Sequence, residues 1–498
     1  MESTKISASD NIIKEQTKTS AVLGQVFKDM VKYMPSKLVG ILGNIIIVPI
    51  YTNLLTPDQY GLYSIAVATL SFLCIIFFDW IGTSGLRFFK IHQMVGDVSR
   101  YFASLVTLLG INYALMWILI TLCGEQITSF FKIPENYLYF IGALILPVAF
   151  RSLLFQILRA QIKPTLYTAY TIINQFFTIA LAVIFIKVFN LGAFAILLAM
   201  AISIVIIDVA LITIVKLFSG FRFEKLQFGI IKHFCWYGMP LAVASLSMWI
   251  MNQSNKFIMQ HYKGSFYNGI IGVSYNMTYS IFLTMFSIIM IAAMPRVIMM
   301  WEQNKNPQKL ISSLSGYYMA LIMPFVVFIS IYTPEYVRAI ANPKFEQAVI
   351  LVPFLIVSTF FVGLSDYTTI QYHLTKKTYI NTIIKLAPGI LGIILNILFI
   401  PKYGLLAVGW TTLFTNVLYF LLSVFVVCNK EMSWKVPYKE LLLSIASLAP
   451  SLGMIYLLKT FSTINPITQM LIAILLYYVV FILLIRNKNI KQHSNQSN

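Results

Sequence analysis

Leu54-Leu55-Thr56-Pro57-Asp58-Gln59-Tyr60-Gly61-Leu62-Tyr63-Ser64 joins two apolar runs, and its reading decides the fold. Thr56-Pro57-Asp58 has the composition of a tight turn, because Pro fixes φ and Asp can bond its own backbone. Gly61 lets the helix that follows start close-packed. The stretch carries one ionised group, Asp58, and no Lys or Arg. It therefore reads as a short loop on the side of a membrane that disfavours positive charge.

Outward from this turn the chain is more of the same. Of 498 residues, 59% are apolar and 11% charged, with a mean hydropathy of +0.81. A soluble chain needs about twice that share of charge to cover its surface. Apolar stretches of about 20 residues recur, which is the length of a membrane-spanning helix. The dyad alternation of an outer-membrane barrel is missing. The expected fold is an all-α polytopic membrane protein of about fourteen transmembrane helices, running from 33–53 and 61–82 to 465–485.

The net charge of +19 is distributed between the apolar runs, where it orients helices and meets anionic headgroups. This excludes a nucleic-acid-binding module. Alternate interhelical segments hold 26 and 7 Lys and Arg residues, and only Arg151, Lys256 and Lys385 fall inside spans. That bias predicts an even number of spans with both termini cytoplasmic, in a plasma (inner) membrane. Trp80, Trp236, Trp301 and Trp434 are expected at the inner helix ends as an aromatic belt. The first residues lack the apolar run of a signal peptide, so 1–31 reads as a cytoplasmic tail.

An internal repeat divides the remainder. Gly61-Leu62-Tyr63-Ser64 pairs with Gly272-Val273-Ser274-Tyr275, and Asn190-Leu191-Gly192-Ala193 with Tyr403-Gly404-Leu405-Leu406, at offsets of 211 to 213 residues. The pattern predicts two parallel six-helix repeats, 32–218 and 238–428, joined by a basic cytoplasmic linker, 219–237. Two further helices, 429–485, and a cytoplasmic tail, 486–498, follow. Parallel repeats of this kind are a transporter architecture with the binding site between the halves. No loop is long enough for a catalytic domain, and the chain reads as a non-enzyme. Cys74, Cys123, Cys235 and Cys428 are isolated and the five His are scattered, so no disulfide, metal site or cofactor is expected.

Several local stretches converge on one family. They are the opening stretch itself, Gly82-Thr83-Ser84-Gly85-Leu86-Arg87-Phe88-Phe89, Leu158-Arg159-Ala160-Gln161, Tyr237-Gly238-Met239-Pro240-Leu241 and Asn252-Gln253-Ser254-Asn255-Lys256-Phe257-Ile258. Together they resemble the oligosaccharide-lipid flippases (Wzx-type) of the multidrug/oligosaccharidyl-lipid/polysaccharide exporter superfamily, over nearly the whole chain. Relatives usually carry Asp-Arg where this chain has Asn255-Lys256, so the positive charge is kept and the carboxylate lost. The resemblance implies a V-shaped bundle like that of multidrug (MATE) exporters. It also implies alternating-access transport of a lipid-linked, undecaprenyl-type pyrophosphate oligosaccharide for surface polysaccharide such as O-antigen or capsule. Membrane lipids, a polysaccharide polymerase and chain-length proteins are the partners it suggests.

Charges at membrane depth cost about 2.5–3.5 kcal/mol each on insertion scales, so they should face a watery interior. Arg151 and Lys256 lead the candidate path for an anionic headgroup, with Arg159, Arg87, Arg296 and Lys385 behind them. Arg87, Arg159 and Arg296 have snorkelling to lipid headgroups as the competing role. Asp208, Asp79 and Asp366 are candidates for ion coupling, with pairing to a base as the alternative. Asn44, Asn174, Gln175, Asn252, Gln253 and Asn276 are amides on apolar helices, suited to lining a sugar cavity or to bonding helices together. Two other functions compete: a cation-coupled drug exporter, which favours an acidic cavity, and a membrane acyl- or glycosyltransferase, which needs a His/Asp or paired-carboxylate constellation.

Overall fold

The computed structural model describes residues 43, 45–96, 98–160, 164–215, 228–428, 432–461 and 464–494. Among them the secondary structure is helical. The first half holds α1 (Ile45–Leu54), α2 (Pro57–Cys74), α3 (Trp80–Val95), α4 (Val98–Phe131), α5 (Glu135–Ala160), α6 (Pro164–Phe189) and α7 (Phe194–Val215). The second holds α8 (Phe228–Lys263), α9 (Ser265–Met277), α10 (Tyr279–Glu302), α11 (Gln308–Ile331), α12 (Thr333–Ile340), α13 (Val352–Thr368), α14 (Ile370–Leu374), α15 (Thr378–Tyr403) and α16 (Leu405–Phe425). The appended pair is α17 (Tyr438–Phe461) and α18 (Pro466–Ser494). Twelve helices among the described residues are long and apolar enough to cross a membrane. The expected first span is described only as the short α1, and the expected eighth is broken into α9 and α10 at Thr278 (φ −115°, ψ −71°). The chain is a multi-pass membrane protein.

The opening turn works through Thr56 rather than Asp58. The Thr56 hydroxyl accepts from the Gln59 backbone N–H, the Gln59 side chain accepts from the Thr56 N–H, and Pro57 fills the first turn. This reciprocal capping satisfies donors that the helix start would otherwise leave bare. Thr56→Ala should lower the thermal stability of the detergent-solubilised protein by about 1 kcal/mol, and an unchanged unfolding midpoint would contradict that role.

Gly61, one turn into α2, decides how the halves meet. A Cβ there would lie 1.9 Å from the Ser265 carbonyl oxygen, and a Cβ on Gly269 would lie 2.0 Å from the Pro57 carbonyl oxygen. The contacts are reciprocal, as they must be for two elements related by a two-fold axis. They pair Pro57 with Ser265 and Gly61 with Gly269, an offset of 208 residues. The repeat expected from Gly61 and Gly272 was therefore one helical turn out of register; Gly272 instead lies against Ser64. Both second spans also break: α2 passes into α3 through a π-helical turn, Ile75–Asp79, and α9 into α10 at Thr278.

Elsewhere each half packs on itself. In the first half α6 packs on α7, and in the second α13 packs on α16. The α17–α18 pair docks onto α11 through both helices, with Tyr478 of α18 donating to the Leu321 carbonyl at 2.6 Å. Helix α8 serves both halves. Its start packs on α3, where Ser84 donates to the Phe234 carbonyl at 3.0 Å, and its later turns pack on α15 at Gly389. It begins at Phe228, so the last part of the expected linker 219–237 is helix, while 216–227 lies outside the described residues. Of the expected aromatic belt, Trp236 is 81% exposed, but Trp80 is only 4% exposed and donates to the Ile76 carbonyl. Trp80 is part of the core, because the α3–α8 contact covers it.

Candidate functional site

One turn of α8, Asn252 to Lys256, concentrates polar groups in the interior. Asn252, Asn255 and Lys256 share a face at helical spacing, with Gln253 beside them. Asn255 is 2% exposed; its Nδ2 donates to the Tyr275 hydroxyl at 2.7 Å and to Thr412 Oγ1 at 3.5 Å, joining α8 to α9 and α16. Asn252 Nδ2 donates to the Met248 carbonyl at 3.0 Å. The carbonyl oxygens of Asn252, Gln253 and Asn255 are buried and accept no hydrogen bond, with the Tyr279 hydroxyl, also unpartnered, beside the Asn252 amide. Each is an acceptor waiting for a donor, at a cost of about 1–3 kcal/mol if left so.

Lys256 stands among them. It is 9% exposed and its Nζ lies 5.9 Å from the centre of the Tyr275 ring. Among the described residues its ammonium forms no hydrogen bond or ion pair; the aromatic face is its one electrostatic neighbour. The turn thus offers an unneutralised cation and three bare acceptors. Hydroxyl groups satisfy the acceptors, and a phosphate or carboxylate satisfies the cation. That combination matches a polyhydroxylated anion.

Two acids on other membrane-depth helices each have an opposite charge within electrostatic range in their own half. Asp208, 4% exposed on α7, accepts from the Tyr170 hydroxyl of α6, and its other oxygen has no hydrogen-bond partner. Arg151, half-buried on α5, is the cation that Asp208 senses. In the second half Asp366 of α13 lies within electrostatic range of Lys385 of α15, whose Nζ is 5.6 Å from the Tyr419 ring centre of α16. In each half an acid, a base and a tyrosine are thus contributed by three neighbouring helices. Neutralising both members of a pair should cost less than neutralising one. Arg151→Met with Asp208→Asn should recover about 1 kcal/mol or more of thermal stability relative to the sum of the single variants; strict additivity would show that they do not interact.

The remaining candidates separate. Asp79 is half-buried in the π turn. Arg87 is exposed on α3, and Arg296 is half-buried in α10. Arg159 lies near the end of α5, and its side chain and the whole of Asn44 are outside the described residues. Asn174 Oδ1 accepts from Ser203 at 3.1 Å, which bonds α6 to α7. The Gln175 amide packs on Gly43. Asn276 donates to the Tyr60 hydroxyl at 2.8 Å across the two halves. Amide glue describes Asn174 and Asn276, whereas Asn252 and Gln253 keep free acceptors. Tyr275, Thr412, Tyr170 and Tyr419 were not singled out from sequence, since single hydroxyls on apolar helices carry no spacing signal. Among the described residues no three His, Cys, Asp or Glu come together as metal ligands.

A family model described as "Polysaccharide biosynthesis protein" matches residues 50–350, a segment that includes the α2–α9 seam and the Asn252–Lys256 turn. The chain belongs to the polysaccharide biosynthesis protein family. This family member is 25% identical over 218 residues to an uncharacterized membrane protein of Methanocaldococcus jannaschii, a stretch of 43% of this chain and 48% of that one. The chain thus spans about half the length of the curated relative it matches. Its fold resembles that of the lipid II flippase MurJ in an inward closed conformation, with a TM-score of 0.73 at 17% identity, covering 93% of this chain and 99% of that one. It also resembles an inward-facing multidrug resistance MATE transporter of the MOP superfamily, with a TM-score of 0.63 at 13% identity over 78% and 93% of the two chains. At these identities the likeness is one of fold, and it agrees with the superfamily that the local stretches suggested.

Proposed function

We propose that this membrane protein is a flippase that carries a lipid-linked oligosaccharide, its sugars joined to an undecaprenyl-type lipid through pyrophosphate, across the plasma membrane for surface polysaccharide assembly. The observation that carries the reading is the Lys256 ammonium, buried without an anionic partner beside three bare amide acceptors. A phosphate takes the ammonium's hydrogen bonds, and sugar hydroxyls donate to Asn252, Gln253 and Asn255. The lipid tail stays in the bilayer while the headgroup passes between the halves, and no bond is made or broken. Arg151 and Lys385 contribute to the path only when Asp208 and Asp366 release them. This gives those carboxylates a role in coupling, by a proton or another cation taken up as the headgroup displaces them. Both termini lie on the cytoplasmic side, and a polymerase and chain-length proteins take the product on the far side.

The test is the lipid-linked oligosaccharide pool of a deletion strain complemented with wild type or with Lys256→Ala. Intact intermediates on the cytoplasmic leaflet, with surface glycan lost and restored only by wild type, are the expected result. An unchanged pool with normal surface glycan would overturn the reading and favour export of small molecules.

A further inference from the structure

The register that pairs Gly61 with Gly269 also pairs Thr52 and Asn53, at the end of α1, with Gln260 and His261, near the end of α8. Both pairs of residues do the same thing. Each reaches across to the corner between the third and fourth long helices of the opposite half. Thr52 Oγ1 accepts from the Asn342 N–H at 3.1 Å, and Asn53 Oδ1 accepts from Asn342 Nδ2 at 2.7 Å, at the corner between α11 and α13. Gln260 Nε2 donates to the Lys132 carbonyl at 3.2 Å, and His261 Nδ1 lies 2.6 Å from the Phe130 carbonyl, at the corner between α4 and α5. Each bond set is backed by an aromatic contact. His261 stacks on Phe130 at 4.5 Å, and Phe345 meets Tyr60 edge-on at 5.6 Å.

We infer that these are two symmetry-related latches, which hold the Pro57 end of the cleft shut and must release together for that end to open. The physical argument rests on where the bonds are made. Beneath them the α2–α9 seam is mainly backbone against glycine, crossed by the Asn276–Tyr60 bond at 2.8 Å and a long one from Asn268 Nδ2 to the Gly61 carbonyl at 3.5 Å, so most of the polar contacts that open with this end lie in the latches. Each latch pairs a buried residue, Thr52 or Gln260, with one that water reaches, the exposed Asn53 or the half-buried His261, so water replaces the outer bonds on opening and each contributes only modestly. Because a two-fold axis relates them, hinging the halves apart stretches both at once, and closure remakes both. The second corner, built from α12 and the 3₁₀ turn Pro343–Ile350, adds a hydrogen bond from the Tyr336 hydroxyl to the Met277 carbonyl at 2.8 Å. That bond ties this corner to the break between α9 and α10.

The inference is independent of what is transported, so its test reads conformation directly. Ser64, 4% exposed at the seam beside Gly272, is replaced by Cys in a background with the native cysteines removed. A membrane-impermeant maleimide is applied from the Pro57 side of reconstituted vesicles. Asn53→Ala with His261→Ala should raise the labelling rate of Ser64→Cys by about tenfold, as expected for losing a set of modest hydrogen bonds. Each single variant should raise it by less than half as much on a logarithmic scale, because the remaining latch still resists opening. Joining Asn53→Cys to Asn342→Cys by a short thiol cross-linker, before Ser64→Cys is exposed by reversal of a protecting group, should hold labelling at the background rate. Labelling unchanged by the double alanine variant overturns the inference, as does labelling that persists in the cross-linked protein. The cross-linked arm keeps the test decisive where an alanine variant folds poorly.

Discussion

Lys256→Met should slow flipping by about 10- to 100-fold while leaving the fold at least as stable. A charge-assisted hydrogen bond to a phosphate is worth about 1.5–3 kcal/mol, which sets the size of the loss. The stability half of the result separates a binding role from a structural one. An ammonium buried without an anionic partner costs free energy, and an apolar side chain of similar length removes that cost. The unfolding temperature in detergent should therefore hold or rise as transport falls. Lys256→Arg keeps the charge beside Tyr275 and should retain most of the flipping rate. Full transport by Lys256→Met would remove this residue from the headgroup path. A fall in transport accompanied by an equal fall in stability would make it a packing residue.

Gly61→Ala should have the largest effect of any single methyl added to the protein's described glycines. Its Cβ would sit 1.9 Å from the Ser265 carbonyl oxygen, where ordinary contact begins at 3.4 Å. Two helix backbones must then move apart, since neither partner is a flexible side chain. Overpacking of this kind costs about 1–3 kcal/mol, all of it in the state where the Pro57 end is closed. Transport should fail because the closed state is lost, with the protein still inserted. Gly269→Ala should behave alike, because its Cβ meets the Pro57 carbonyl oxygen at 2.0 Å. Gly453→Ala, on α17 with nothing within 4 Å, should leave transport unchanged and gain a few tenths to about 1 kcal/mol of helix stability. If Gly61→Ala and Gly453→Ala were indistinguishable, the seam would not be a working contact.

These cases show what stands out in the sequence. Lys256 stood out as a charge inside an apolar run, and Gly61 as a glycine at a helix start. The spans, the turn at Pro57 and the superfamily were legible in the same way. Arg151 was also visible, but its nearness to Asp208 was not: the two lie on α5 and α7, and only packing brings them within electrostatic range. Asn174 and Asn252 look alike in the chain, each an amide on an apolar helix. One spends its oxygen on Ser203, the other keeps its oxygen bare.

What the sequence determined by itself is the class of protein and its division into membrane-spanning helices, because hydropathy and helix formation act over one or a few turns of contiguous chain. What only the tertiary structure decided is the register of the two halves, which opposite charges come within range of one another, and the polar contacts at the Pro57 end. Those depend on contacts between residues some 30 to 290 positions apart, such as Asn174 with Ser203 and Thr52 with Asn342. A slip of one helical turn, from Gly269 to Gly272, leaves the hydropathy pattern almost unchanged, yet it moves every backbone contact along the seam.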